Sequence, residues 1–137
     1  LWILHNSKIV RSMNCTIIEL PGIKIDTINY NRAVCIIKLA DVADMDKNDD
    51  LLALTMCLIN GGLRKIIFDF TSVEFIDSYG IGTIVEIAKY IRQHHNGDVV
   101  LINVSERILL IFKPIQFQKF IKIFHSEDEA LHYFQYV

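Results

Sequence analysis

Several features that assign a chain to a common functional class are missing from these 137 residues. Basic residues are not in excess, since 14 Lys and Arg stand against 16 Asp and Glu, and this excludes a strongly basic surface for nucleic acid. The three cysteines are isolated and odd in number, which argues against a disulfide framework and a zinc site. No apolar run approaches the roughly 18 residues of a membrane span. We therefore expect a cytoplasmic protein with reduced thiols and without a metal or an obligatory cofactor.

The first residues of the chain carry no pattern that we can assign to a function. The chain begins with Leu1 rather than Met, and the segment lacks the charged start and small-residue cleavage site of a signal peptide. We interpret residues 1–12 as a non-native segment or an extension, with Met13 as a natural start. The remainder, 52% apolar and 22% charged over the whole chain, has the composition of a globular protein. Residues 13–137 are therefore expected to form one domain.

Hydrophobic patterns predict five strands and four helices. The first two strands form a hairpin around a turn at 29–32. The predicted strands are 23–28, 33–39, 64–70, 99–103 and 120–124. The helices are predicted from the acidic stretch 41–50 to Gly61, over 81–94, from Ser105 to Pro114, and from Ser126 onwards, where Glu129 completes a capping box.

The order of these elements predicts an α/β domain. Strands that alternate with helices form βαβ crossovers, which give a mostly parallel sheet of about five strands. The initial hairpin adds an antiparallel edge, which makes the sheet mixed. Because this edge could pair with a second copy of the chain, the sequence leaves the oligomeric state open.

The densest polar segment, residues 71–79, lies between the third strand and the second helix. Ligands and partners of open α/β sheets bind at the carboxyl ends of the strands, so we expect the functional site there.

Enzyme and ion motifs fit this region and the acidic stretch poorly. A nucleophile elbow would need glycine in place of Ile76, and a dinucleotide fingerprint would need glycine or alanine in place of Val85. A calcium loop starting at Asp44 would need glycine in place of Asp49.

Ser78 is the most informative residue of this segment. It is expected to cap the second helix, because a hydroxyl before Gly-Ile-Gly can accept hydrogen bonds from unpaired backbone N–H groups. A phosphate on Ser78 would carry a charge of about −1.5 to −2 and would lie at a helix N-terminus, which favours anions. Phosphorylation would then change the surface charge without unfolding the domain, and Asp77 would add to the negative field. This arrangement predicts a binding switch.

The segment DFTSVEFIDSYGIG, residues 69–82, resembles the signature of STAS domains and, more narrowly, that of bacterial anti-sigma factor antagonists. Residues 103–108 and 124–130 resemble the flanking parts of the same family, so that the resemblance covers about residues 22–135. It implies a STAS-like fold and a protein-binding module rather than an enzyme. It also implies that Ser78 is phosphorylated by a partner anti-sigma serine kinase and that a phosphatase reverses this step. The unphosphorylated form would bind the anti-sigma factor and so free a sigma factor for transcription.

The resemblance also implies roles for individual residues. The partner surface would include Asp77, Ser78, Tyr79 and Ile81, and the tight turn into the helix would be formed by Gly80 and Gly82. Two positions depart from the family pattern. Tyr79 stands where Ser or Thr is usual, and Ala40 stands where Gly usually follows the strand. Two alternatives stay open: a STAS scaffold without phosphorylation in a sensory or lipid-transport assembly, and a small enzyme or nucleotide-binding protein that uses the segment 80–82.

Overall fold

The computed structural model describes residues 8–12, 15–20, 23–28, 34–39 and 45–135, with side chains described for 34–39 and 49–135. Within these ranges the chain forms seven strands and five helices. They are β1 (Lys8–Ser12), β2 (Cys15–Leu20), β3 (Ile23–Ile28), β4 (Val34–Leu39), α1 (Met45–Asn60), β5 (Lys65–Asp69), α2 (Ser78–His95), β6 (Asp98–Ile102), α3 (Glu106–Phe112), α4 (Phe117–Phe120), β7 (Lys122–Phe124) and α5 (Glu127–Gln135).

All seven strands form one mixed sheet in sequence order, from β1 at one edge to β7 at the other. Strands β1 to β4 pair antiparallel, and β4 to β7 pair parallel. The predicted α/β class and the antiparallel pairing of the first predicted hairpin, β3 with β4, are therefore confirmed. The sheet has two strands more than predicted, because residues 8–12 and 15–20 also pair within it. The domain boundary at residue 13 stays a prediction.

The core has two layers because successive side chains of a strand point to opposite faces of the sheet. In β4, Ile37 contributes to the cluster under α1, α2 and α3, whereas Ile36 contributes to the cluster under α5. The same alternation occurs in β5, where Phe68 and Ile67 are both fully buried on opposite faces. The nearly continuous apolar run of this third predicted strand is typical of a strand covered on both faces, and the structure shows that coverage.

The helix ends follow the expected chemistry. Helix α1 ends at Asn60, and Gly62 follows with a φ of 116°, a conformation that glycine adopts without steric cost. Asn96 ends α2 in the left-handed conformation with a φ of 55°. Before α5, the Ser126 hydroxyl accepts a hydrogen bond from the Glu129 N–H at 3.2 Å, as the capping box predicts. The predicted turn at 29–32 and the start of the acidic stretch, 41–44, lie outside the described residues.

Two features of the helices differ from the prediction. Helix α4 is additional, and it forms because Phe117 stacks on Phe112 of α3, with 4.2 Å between the ring centroids, and is buried there. Helix α2 begins at Ser78, three residues earlier than predicted. In the part of the chain that the structure describes, no helix combines the length and the apolar character needed to cross a membrane.

Candidate functional site

A hydrogen-bonded cluster closes the carboxyl ends of β5 and β6. The Asp69 side chain is buried, and its Oδ1 accepts hydrogen bonds from the Thr71 N–H at 2.9 Å and from the Thr71 hydroxyl at 2.6 Å. The Asn103 amide donates to the same oxygen at 3.2 Å. Asn103 itself has a φ of 56°, a left-handed conformation that asparagine tolerates. The cluster therefore joins the ends of two neighbouring strands and fixes the start of the loop after β5.

Buried apolar side chains anchor the loop from residue 70 to 77 to the core. Val73 and Ile76 are each only 2% exposed, and both belong to the core cluster under α1 and α2. The Phe70 N–H donates to the Ile102 carbonyl at 3.0 Å, which extends the strand pairing by one residue. Phe75, between the two buried anchors, is 53% exposed. The loop thus has a fixed path and presents an aromatic ring outwards.

Asp77, not Ser78, is the cap of helix α2, so the prediction of a Ser78 cap is wrong. Asp77 has an extended backbone, and its Oδ1 accepts a hydrogen bond from the Gly80 N–H at 2.9 Å. Ser78 is consequently the first helical residue. Both residue types are good caps, but a carboxylate also interacts favourably with the positive end of the helix dipole. With Asp77 as the cap, helix α2 begins at Ser78 rather than at the predicted residue 81.

The new assignment gives a stability prediction. We expect Asp77→Ala to lower the free energy of unfolding by about 1 kcal/mol, because it leaves the Gly80 N–H without its acceptor. Ser78→Ala should cost clearly less, since Ser78 is not the cap. Urea denaturation of both variants measures the difference. Equal losses for the two variants would contradict the assignment of Asp77 as the cap.

The structure separates the predicted partner-surface residues by exposure. Ser78 is exposed, and Tyr79 beside it is 59% exposed. Asp77 is half-buried as the cap. Ile81 is also half-buried, but it packs against the core below α2. Ser78 and Tyr79 therefore lie together on the outer surface with Phe75 nearby in sequence, whereas Ile81 mainly supports the helix.

A groove of about 390 Å³ lies between α1 and α2 next to Ser78. Helix α1 contributes Asp49 and Leu52 to its walls. The residues from α2 are Ser78, Tyr79, Gly82, Thr83 and Glu86. No local pattern of the sequence indicates the contribution of α1, because the approach of two helices depends on tertiary packing. The acidic stretch that contains Asp49 was the available signal, but its pattern indicates a helix start and not a groove wall.

The two glycines predicted to form a tight turn lie within helix α2 instead. Gly80 is buried in its first turn, and Gly82 is exposed in the second. Among the glycines that the structure describes, Gly62 is the one with a positive φ. Gly80 and Gly82 therefore do not need the ability of glycine to adopt a left-handed backbone conformation. The prediction of a glycine turn is therefore wrong, because the capping by Asp77 starts the helix before both residues.

Gly82 gives a second stability prediction. A Cβ atom added there would meet nothing within 4 Å, so alanine fits without displacement. We expect Gly82→Ala to raise the free energy of unfolding by about 0.5–1 kcal/mol, because glycine loses more backbone entropy in a helix than alanine does. Thermal and urea denaturation measure the change. A loss of stability would mean that the helix needs the glycine.

Comparison with known proteins decides the family. The family model for the STAS domain matches residues 8–130. The chain belongs to the STAS domain family. A candidate anti-sigma factor antagonist from Thermotoga neapolitana is 32% identical over 73 residues, which are 53% of this chain and 64% of that protein. The chain thus spans 64% of the length of the two curated relatives from Thermotoga that it matches.

Solved structures of low sequence identity share the fold. The crystal structure of a candidate anti-sigma factor antagonist from Thermotoga maritima has a TM-score of 0.66 at 24% identity, over 74% of this chain and 87% of that one. The anti-sigma factor antagonist SpoIIAA in its unphosphorylated form has a TM-score of 0.66 at 19% identity, over 82% of this chain and 97% of that one. Phosphorylated SpoIIAA from Bacillus has a TM-score of 0.60 at 20% identity, over 79% and 96% of the two chains. At these identities the likeness establishes the STAS-like fold.

Proposed function

We propose that the chain is an anti-sigma factor antagonist that binds an anti-sigma serine kinase and is released when Ser78 is phosphorylated. The observation that carries the proposal is an exposed serine in the first turn of α2, directly after the capping Asp77 and at the carboxyl ends of the parallel strands. The names of the STAS relatives support the general role. The existence of SpoIIAA structures in unphosphorylated and phosphorylated forms supports the switch.

The position of Ser78 is suited to carry a phosphate without loss of the fold. Helix α2 has 18 residues, and no acidic residue stands in its first turn. Its N-terminus therefore offers a positive dipole end and backbone N–H groups that favour an anion. Because Asp77 rather than Ser78 accepts the hydrogen bond from Gly80, a modified Ser78 leaves the cap intact.

The surroundings of Ser78 give a physical reason for partner release. The exposed rings of Phe75 and Tyr79 provide apolar area that a partner can bury. A partner that covers these rings also removes water from Ser78. A hydroxyl tolerates this loss when it finds one hydrogen bond, whereas a phosphate dianion loses a large hydration energy. The Asp77 carboxylate next to it adds to the negative charge that the partner surface would meet.

Tyr79 supports a second candidate, a STAS scaffold subunit without a phosphorylation cycle. Its large, exposed side chain stands next to Ser78 at the position where the family motif usually has a small hydroxyl residue. A bulky neighbour can hinder the approach of a kinase to the serine. In that case the same surface would bind a partner permanently, and Ser78→Asp would leave that binding unchanged.

A binding experiment tests the proposed function. Each anti-sigma serine kinase encoded in the source genome is purified and titrated with the chain by isothermal calorimetry. We expect saturable binding to one of them, and no heat when ATP or GTP is titrated into the chain alone. Absence of binding to every kinase would overturn the proposed function. Heat with a nucleotide alone would favour the nucleotide-binding alternative.

A further inference from the structure

Gly82 is a glycine for which the fold itself gives no reason. It lies inside helix α2, has no left-handed φ, and is exposed. A Cβ atom there would meet no other atom within 4 Å, so packing does not exclude a side chain. Glycine also weakens a helix at such a position. A residue that lowers stability without an internal reason points to a requirement outside the chain.

We propose that Gly82 is a specificity-determining residue of the partner surface, and that its missing side chain leaves room for an apolar side chain of the anti-sigma partner. This inference rests on the proposed function and adds to it a residue of this chain that the partner side chain contacts. Gly82 lies four residues after Ser78 on the same side of α2, about 6 Å along the helix axis. Both residues line the groove between α1 and α2.

The groove walls indicate the chemistry of the side chain that enters. Leu52 of α1 is half-buried, and Tyr79 of α2 is 59% exposed, so an apolar group between them covers apolar surface on both sides. Asp49 and Glu86, both exposed, also line the groove, and their two carboxylates disfavour an acidic segment. An apolar anchor in a pocket with a polar rim is the arrangement of an interface hot spot. Tyr79 makes this groove continuous with the surface proposed to bind the partner.

The position of Gly82 also extends the explanation of the switch. Side chains of a helix lean towards its N-terminus, so a side chain added at Gly82 would extend over the turn that carries Ser78. A phosphate on Ser78 would take up space in the same groove, which Ser78 also lines. The partner would then be displaced by the volume of the phosphate as well as by its charge. An uncharged side chain at Gly82 should therefore imitate part of the effect of phosphorylation.

Substitution of Gly82 tests this inference in the full chain. We expect Gly82→Leu to raise the Kd for the anti-sigma kinase that the parent chain binds by at least about tenfold, as expected for loss of a hot-spot contact. The matched control is Gln93→Leu, which adds the same side chain to an exposed position of α2, eleven residues or about 16 Å further along the axis. The control should bind within about twofold of the parent, as expected for a position outside the contact. Circular dichroism and melting temperature establish that both variants are folded.

The outcomes separate the two proposals. If the parent binds a kinase and Gly82→Leu, folded, binds it as tightly, the role of Gly82 is overturned while the proposed function stands. If Gln93→Leu weakens binding as much as Gly82→Leu does, the effect is not specific to the groove, and the role of Gly82 is again overturned. If the parent binds no anti-sigma kinase, the proposed function fails and the inference fails with it. Selective weakening by Gly82→Leu, with Gly82→Ala intermediate, supports it.

Discussion

Ser78→Asp is expected to weaken binding to the anti-sigma kinase by at least about tenfold, because like charge or an unpaired charge in an interface costs several kcal/mol. The new carboxylate would stand beside Asp77 and within the groove that also contains Asp49 and Glu86. The same substitution should leave the melting temperature nearly unchanged, since Ser78 is exposed and the helix cap belongs to Asp77. Calorimetric titration and thermal denaturation measure the two effects independently.

Two control variants make this result specific. Ser78→Ala removes the hydroxyl without adding charge, and it should bind the kinase as tightly as the parent and stay bound in the presence of ATP. Gln118→Asp adds the same charge to an exposed position of α4, whose Phe120 carbonyl accepts a hydrogen bond from Arg92 near the C-terminal end of α2, and it should also bind like the parent. Parent-like binding by Ser78→Asp would refute the charge effect and favour the scaffold alternative. A marked drop in melting temperature would mean that the variant acts through the fold.

Asp69→Ala is expected to lower the free energy of unfolding by about 2 kcal/mol, since a buried hydrogen-bonded cluster loses its acceptor. Oδ1 of Asp69 accepts three hydrogen bonds, two from Thr71 and one from Asn103, which join the ends of β5 and β6. Their loss should also loosen the start of the loop that leads to Ser78. Urea denaturation measures the first effect, and hydrogen exchange of the amides at 70–77 measures the second.

The conservative variant Asp69→Asn separates hydrogen bonding from charge. The asparagine carbonyl oxygen can still accept the hydrogen bonds from Thr71, so less than half of the loss is expected. If Asp69→Asn were as destabilising as Asp69→Ala, the charge of Asp69 rather than its acceptor geometry would hold the cluster. Unchanged stability in Asp69→Ala would show that the cluster does not fix the strand ends.

Local patterns were sufficient to predict the centre of the fold. The continuous apolar run at 66–68 is typical of a strand that is buried on both faces, and these residues are fully buried in β5. Ile84, Ile87 and Ile91 recur at the three-to-four spacing of one helix face, and all three are buried in α2. Such positions are predictable because burial of apolar area dominates their energy and repeats with the period of the element.

The site was predicted less completely, since its details depend on competition between neighbours and on tertiary packing. Asp77 and Ser78 are both good caps, and the sequence alone did not show that the carboxylate takes the Gly80 N–H. The two glycines of the motif are typical of a turn, but helix α2 begins before both of them, so no turn forms there. The contribution of Asp49 and Leu52 depends on the approach of α1 to α2, which no local pattern encodes.

The most direct test of the switch is the phosphorylated protein itself. The chain is incubated with ATP and the anti-sigma serine kinase that it binds, the modified residue is located by mass spectrometry, and the Kd and melting temperature are measured before and after modification. We predict one phosphate, on Ser78, a Kd raised by at least about tenfold and a nearly unchanged melting temperature. Absence of phosphate on Ser78, or a phosphorylated protein that binds as tightly as before, would contradict the proposed switch.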